Sequence, residues 1–339
     1  MIGSLKNYVS NIILIWLAIW FYKHNGFYLG FLSSETQKFL FYLALVYTIL
    51  GGLFYAIFPS REGHKTKGRL LFGAIARSFK EFFDYIGPIK FKSEKKMFRL
   101  EKEEKTAILF MIVKIFFLPL MINFTINNYY SITSSWGIVF GLQMFNYETI
   151  LNIIYPFLIG VIFFIDTFYF SIGYLLEAGF LKNVVKSVEP TIFGWVVALA
   201  CYPPFNGYIG NYVNWYADNM AFFSSSFITL IARILIILLL LLYVWATFSL
   251  GFKCSNLTNR GIVTSGAYSI IRHPAYVGKV FSWWIMIIPI FNVYAFASMA
   301  MWTIIYFARA ITEERHLMAD EDYARYCRKV KYRFIPFVY

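Results

Sequence analysis

The sequence predicts an all-α, polytopic transmembrane helical bundle of about eight hydrophobic segments, and three observations carry that reading. The chain of 339 residues is 59% hydrophobic and 22% aromatic, with 14% charged residues. A soluble globular chain carries about 25% charged residues, so this one lacks the polar surface that water would require. Its apolar residues fall in runs near the roughly 20 residues that a membrane-crossing helix needs. Its basic residues, finally, are confined almost entirely to one alternate set of the loops between those runs.

The segments, in order, are Tyr8–Tyr22, Gln37–Phe58, Thr106–Ile126, Thr149–Tyr174, Thr191–Phe205, Ser226–Leu250, Tyr276–Ile290 and Asn292–Ala310. The first and fifth are short. The last two, separated by Pro289 and a few neighbours, read as a tight helical hairpin. Short or Pro-broken spans are tolerated where they are buried against neighbours or line a cavity.

Charge placement sets the orientation. The loop 59–105 holds 13 of the 31 Lys and Arg residues, and the tail after Thr312 holds 6 more. Lys182, Lys186, Lys253, Arg260, Arg272 and Lys279 fall on the same face if every segment crosses. The opposite loops, 127–148 and 206–225, contain neither Lys nor Arg. The excess marks the cytoplasmic side, so both termini and loop 59–105 are expected there. The net charge of +13 then describes a basic skirt beside anionic headgroups. It does not describe a nucleic-acid surface, because Lys90, Lys92, Lys95 and Lys96 sit in a short loop between membrane segments. Within that loop Leu71, Phe72, Ile75, Phe79, Phe82 and Phe83 recur with the 3.6 period of an interfacial helix over 70–86.

Lys114, Asp166 and Arg233 lie inside the apolar segments. Such groups either serve function or snorkel and pair with one another. Cys201, Cys254 and Cys327 are too far apart for a disulfide framework or metal motif. His24, His64, His273 and His316 are equally dispersed, so no metal is expected.

Two stretches carry candidate chemistry. The first runs from Leu257 to Gly278. Gly261 and the Thr264-Ser265-Gly266 turn let backbone amides approach a ligand. Pro274 pushes His273 to an extended conformation and is suited to open the next helix, whose N-terminal amides favour a carboxylate. Tyr268 and Tyr276 supply aromatic faces. The second stretch holds Arg309 and Glu313, four apart and so on one helix face, followed by Glu314, Leu317, Tyr323, Tyr326 and Pro336. From spacing alone Arg309 and Glu313 are either a snorkelling ion pair or a site in which Arg309 holds an anion and Glu313 a cation.

The ordered set Gly266-Ala-Tyr268, Arg272-His-Pro-Ala-Tyr-Val-Gly278, Arg309…Glu313-Glu314…Leu317, Tyr323, Tyr326 and Pro336 resembles the isoprenylcysteine carboxyl methyltransferase family and its phospholipid and thiol methyltransferase relatives. The resemblance covers about Phe248 to Phe337. It divides the chain into an N-terminal multi-span region, 1–247, and a methyltransferase core, 248–339. It implies an integral-membrane enzyme that uses S-adenosylmethionine and methylates a lipophilic acceptor, with the site facing the cytoplasm.

The cofactor contacts it implies are Arg260, Gly261, Ile262, Val263, Tyr268, His273, Pro274, Ala275, Tyr276 and Glu313. Arg309 matches a substrate-side residue, and Lys253 a polar residue shortly before the run. Arg309 and Glu314 are the catalytic candidates, since an acceptor that needs deprotonation finds a base only in His273 or Glu314. No Gly-x-Gly-x-x-Gly fingerprint of the soluble nucleotide-binding type occurs. The block Lys186–Tyr216 has no counterpart in the motif set, and the acceptor is accordingly open. Two other classes compete: an NADPH-dependent sterol or enone reductase, which shares the His-Pro-x-Tyr-x-Gly turn, and a non-enzymatic membrane scaffold or transporter.

Overall fold

In the computed structural model, residues 2–57, 65–86, 100–142, 146–218, 220 and 222–338 are described. The lysine cluster at 90–96, part of loop 59–105 and the terminal Tyr339 lie outside them. Helices dominate because the apolar runs must satisfy their own backbone polar groups internally in lipid. In order they are α1 (Ile2–His24), α2 (Gly26–Phe31), α3 (Ser34–Ile57), α4 (Lys67–Ile86), α5 (Lys102–Phe140), α6 (Tyr147–Thr149), α7 (Tyr155–Leu175), α8 (Ile192–Leu199), α9 (Phe205–Gly210), α10 (Ser226–Leu250), α11 (Pro274–Met286), α12 (Val293–Leu317) and α13 (Glu321–Lys329). A two-stranded antiparallel ribbon pairs β1 (Ser187–Val188) with β2 (Thr258–Asn259), in the register Ser187 opposite Asn259.

The chain forms two compact units, Met1–Leu120 and Met121–Tyr339. In the first, α1 and α3 pair through polar contacts among apolar faces: Trp16 Nε1 donates to Thr48 Oγ1 at 3.1 Å and Asn11 Nδ2 to the Tyr47 hydroxyl at 3.0 Å. Asn25 caps α2 by accepting from the Phe27 and Tyr28 amides. The Tyr22 hydroxyl donates to the Ile115 carbonyl of α5 at 2.9 Å.

The second unit is built on α7, α10, α11 and α12. Its core packs Tyr155, Ile162, Ile236, Leu240, Met286, Met299 and Trp302. Arg233, near the start of α10, donates to the Leu151 carbonyl just before α7. Thr247, near the end of α10, donates to Asp166 in α7 at 2.7 Å. The two helices therefore run parallel, and the chain must return the length of the bundle between them. It does so in pieces alongside α12: Arg315 pairs with Glu189 at 2.9 Å, and Ser298 donates to the Asn214 carbonyl at 2.8 Å.

This return is the expected Thr191–Phe205 segment, in another form. Six described helices are long and apolar enough to cross a membrane, with a shorter apolar stretch at Pro274–Ile290. The eight residues of α8 rise only about 12 Å against a hydrocarbon core of about 30 Å. That helix ends at Leu199 in tight turns over Ala200 to Tyr202; Pro203 and Pro204, which offer no N–H, keep it from resuming, and α9 and an irregular run complete the return. The structure thus replaces a single fifth span by a broken one held against α12.

Candidate active site

The chain leaving α10 turns through Cys254 to Gly261 at one end of the bundle, where side chains replace regular hydrogen bonding. Asn256 donates its backbone N–H to the buried Tyr174 hydroxyl at 2.6 Å. Arg260, 4% exposed, donates from Nε to Ser255 Oγ and from Nη1 to the Asn183 carbonyl, both at 2.9 Å. Burial pushes its guanidinium pKa below the usual arginine range. Asn259 closes the turn: its Oδ1 accepts from the Gly261 amide at 2.8 Å, and its Nδ2 donates to Asp320 at 2.9 Å. Gly261 takes φ +91°, a conformation that favours glycine, and its carbonyl lies 3.5 Å from Lys253 Nζ.

On α12, Arg309 and Glu313 meet at 3.1 Å. Arg309 also donates to Asn256 Oδ1, and Asn256 Nδ2 in turn donates to the Tyr202 hydroxyl at 3.2 Å. The guanidinium carbon lies 5.4 Å from the Tyr276 ring centre, 5.8 Å from Tyr202 and 6.0 Å from Tyr306, within the reach of cation–π attraction. Tyr276 donates its hydroxyl to Glu313 Oε1. The Arg309–Glu313 pair of the spacing argument therefore exists, inside a network rather than at a snorkelling surface.

Glu314 points elsewhere. Its Oε1 meets His273 Nε2 at 3.1 Å, and its Oε2 accepts from Arg333 Nε at 2.8 Å. Arg272 Nε stands 3.1 Å from Oε1, an ion-pair approach without hydrogen-bond alignment. The final segment completes this clasp, since the Arg272 and His273 amides donate to the Tyr332 and Arg333 carbonyls at 3.0 and 2.9 Å. His273 stacks on Tyr276 at 5.4 Å with the rings 9° apart. The N-terminal amides expected to be open for a carboxylate are thus largely engaged, with Tyr276 and Val277 donating to the His273 carbonyl at 3.1 Å.

Above the turn, Tyr323 and Tyr326 of α13 pack on Ile262, Tyr268 and Leu317, and the Tyr326 hydroxyl donates to the Tyr268 carbonyl at 2.7 Å. Burial raises all three phenol pKa values, so these hydroxyls remain protonated donors.

These elements enclose a cavity of about 200 Å³. Of the site candidates named from the sequence, Lys253, Arg260, Gly261, Ile262, Val263, Tyr268, His273, Ala275, Tyr276, Arg309 and Glu313 line it, as do Arg272, Leu317, Tyr323 and Tyr326 of the motif set; Pro274 and Glu314 do not. Pro274 is buried as the first residue of α11, and Glu314 is enclosed by its three basic partners. Asn256, Tyr243, Thr247, Lys279 and Tyr306 also line the wall and were not anticipated as site residues. So do Glu189, Gly194, Ala198 and Tyr202, all from the block without a counterpart in the motif set. The missed signal was that block's polar residues and prolines inside an apolar run, which mark broken backbone beside a cavity. Asp166, buried in α7, accepts from Tyr243 and Thr247 and so supports the inner wall. Among the described residues no cluster of His, Cys, Asp and Glu could hold a metal.

No curated protein and no solved structure matches the chain significantly. Residues 222–324, however, match the family model described as phospholipid methyltransferase. That interval runs from just before α10 into α13 and contains Arg260 to Tyr276, Arg309, Glu313 and Glu314. The C-terminal part of this chain, residues 222–324, is thus similar to the phospholipid methyltransferase family, the membrane methyltransferase group that its motifs also resemble.

Proposed function

We propose that the chain is an integral-membrane, S-adenosylmethionine-dependent methyltransferase that acts on a lipophilic acceptor, with its site in the 248–339 core and facing the cytoplasm. The observation that carries this reading is the cavity itself. Eleven of the site candidates named from the sequence converge on it from the segment between α10 and α11 and from α11 and α12, inside the segment that matches the family.

The donor set suits the cofactor. Glu313, anchored by Tyr276 and Arg309, offers a carboxylate to an ammonium. The turn at Gly261–Val263 brings backbone close to a bound molecule, and Tyr268 and the stacked His273–Tyr276 rings offer flat faces. S-adenosylmethionine, when bound, supplies a methyl group on a sulfonium whose departure leaves a neutral thioether. The protein's task is then alignment and exclusion of water. Tyr323 and Tyr326 cover the turn, and Arg309, fixed by Asn256 and Glu313, orients the acceptor. Glu314 is surrounded by three basic groups and is not free to take a proton. Its role in this reading is to hold His273 against Tyr276.

Detergent-purified protein should bind radiolabelled S-adenosylmethionine, should not bind NADPH, and should transfer label to extracted lipids. Binding of NADPH without S-adenosylmethionine would replace the methyltransferase reading by the reductase one. Binding of neither would leave a scaffold or transporter.

A further inference from the structure

Within the N-terminal unit, a groove of about 570 Å³ lies between the first turns of α1 and α4. Lys6, Lys65 and Arg69 line it together with the apolar side chains of Leu5, Val9 and Phe72. Its geometry is built in. Buried Asn7 accepts from the Thr66 amide at 3.3 Å, and a Cβ on Gly68 would stand 2.6 Å from Asn11 Oδ1. The start of α4 is thereby held against α1.

No carboxylate among the described residues lies within ion-pair distance of Lys6, Lys65 or Arg69. Arg69 makes one long contact, 3.5 Å to the Gly3 carbonyl. Glu104, also on the wall, is engaged by Arg77 and by the Glu101 amide at 3.0 Å. Among the described residues, none of the three cations facing the groove is paired with a carboxylate. From it an apolar ridge runs along α1: Leu5, Val9, Ile13 and Leu17, four residues apart and 61, 43, 44 and 52% exposed. On α4, Phe79, Phe82 and Phe83 are 61, 56 and 65% exposed, as in a helix lying in the plane of an interface.

We propose that this groove binds one anionic phospholipid, with its phosphate on Lys6, Lys65 and Arg69 and an acyl chain along the α1 ridge. A guanidinium fork and two ammonium groups match phosphate oxygens, and the adjoining ridge has no use for a free inorganic anion. The proposal is independent of the methyltransferase reading.

The test is native mass spectrometry of the full chain in detergent, titrated with phosphatidylglycerol and, separately, phosphatidylcholine. The wild type should take one phosphatidylglycerol in preference. Lys6→Gln/Lys65→Gln/Arg69→Gln should weaken that binding on the order of 100-fold, at about fivefold per cation removed. Lys80→Gln/Lys102→Gln/Lys105→Gln removes the same charge from exposed positions outside the groove and should bind within a few-fold of wild type. Millimolar inorganic phosphate should not displace the lipid. Equal losses in the two triple variants, no loss in either, or displacement by phosphate would overturn the proposal. If the groove variant fails to fold, Lys6→Gln alone, at an exposed position, should show about a fivefold loss, and its absence overturns the proposal equally.

Discussion

Two neighbouring carboxylates on α12 face different surroundings. The Glu314 side chain is 7% exposed and meets Arg272, His273 and Arg333. Glu313 is 30% exposed and meets Arg309 and Tyr276 at the cavity wall. Successive helix positions are about 100° apart, so adjacent residues are delivered to different neighbours. Glu314 draws the end of the chain onto the His273–Pro274 turn, which is an architectural task. Glu313 keeps part of its surface towards the cavity, and so can exchange partners with a ligand. α11 serves both, since His273 goes to Glu314 and Tyr276 to Glu313. Identical chemistry is thus enclosed as scaffold on one side and left partly open at the cavity on the other, and burial separates the two.

The largest expected effect is on the scaffold side. Glu314→Ala leaves three basic groups without their common acceptor, and breaking a buried charge cluster costs about 3–5 kcal/mol. Thermal unfolding in detergent should show a large drop in Tm. An unchanged Tm with lost turnover would make Glu314 a chemical participant and dissolve the contrast.

On the cavity side the effects should divide. Arg309→Met should lower turnover by about 100-fold, the scale of a misaligned acceptor, while cofactor affinity stays within a few-fold because Tyr276 still holds Glu313. Glu313→Gln should weaken S-adenosylmethionine binding roughly 10- to 150-fold, the equivalent of losing one charge-assisted hydrogen bond of about 1.5–3 kcal/mol. His273→Ala should act in the same direction. Calorimetry and single-turnover kinetics separate the two outcomes. If Arg309→Met and Glu313→Gln both lose stability and cofactor binding together, and exchanging the two residues restores both, the pair is structural and the cavity side is a second scaffold.

A further variant perturbs both sides at once. A Cβ on Gly278 would overlap the Leu239 carbonyl oxygen and stand 3.0 Å from the Tyr243 amide nitrogen, so α11 lies directly on the α10 backbone. Gly278→Ala should cost about 1–3 kcal/mol, shifting His273 and Tyr276 together. Loss of cofactor affinity without loss of Tm would show that α11 is positioned for the cavity alone.

The smallest effect concerns Asp320, which ties α13 to the ribbon through Asn259 and Lys186. Burial would raise its pKa, but the bonds from Asn259, Lys186 and the Asp322 amide outweigh that and hold the carboxyl below the usual aspartate range. A depressed folded-state pKa contributes stability above the unfolded value and loses it as pH falls through the folded one. Because the Lys186 side chain is 50% exposed, the contribution is below about 1 kcal/mol. Asp320→Asn should flatten only the acid limb of the Tm–pH profile.

The sequence by itself determined the class of molecule and the order of its parts. Any window of about 20 residues reports whether it is apolar enough for lipid, and the long helices follow that pattern closely. The ordered motifs likewise located the cavity wall, because a Gly with positive φ, a Pro at a helix start and an Arg four residues before a Glu impose local geometry that neighbours in sequence reveal. Tertiary structure alone decided the rest. The contacts Arg309–Asn256 and Arg315–Glu189 join residues 53 and 126 apart, and no local pattern encodes them. They depend on the rotation and depth at which packed helices settle, which close packing fixes through side-chain shape. That is why Glu314 lies off the cavity wall, why Asn256 and Tyr202 are on it, and why a segment too short and too polar for one straight span could still return along α12: its broken backbone is supported by neighbours that only the folded bundle provides.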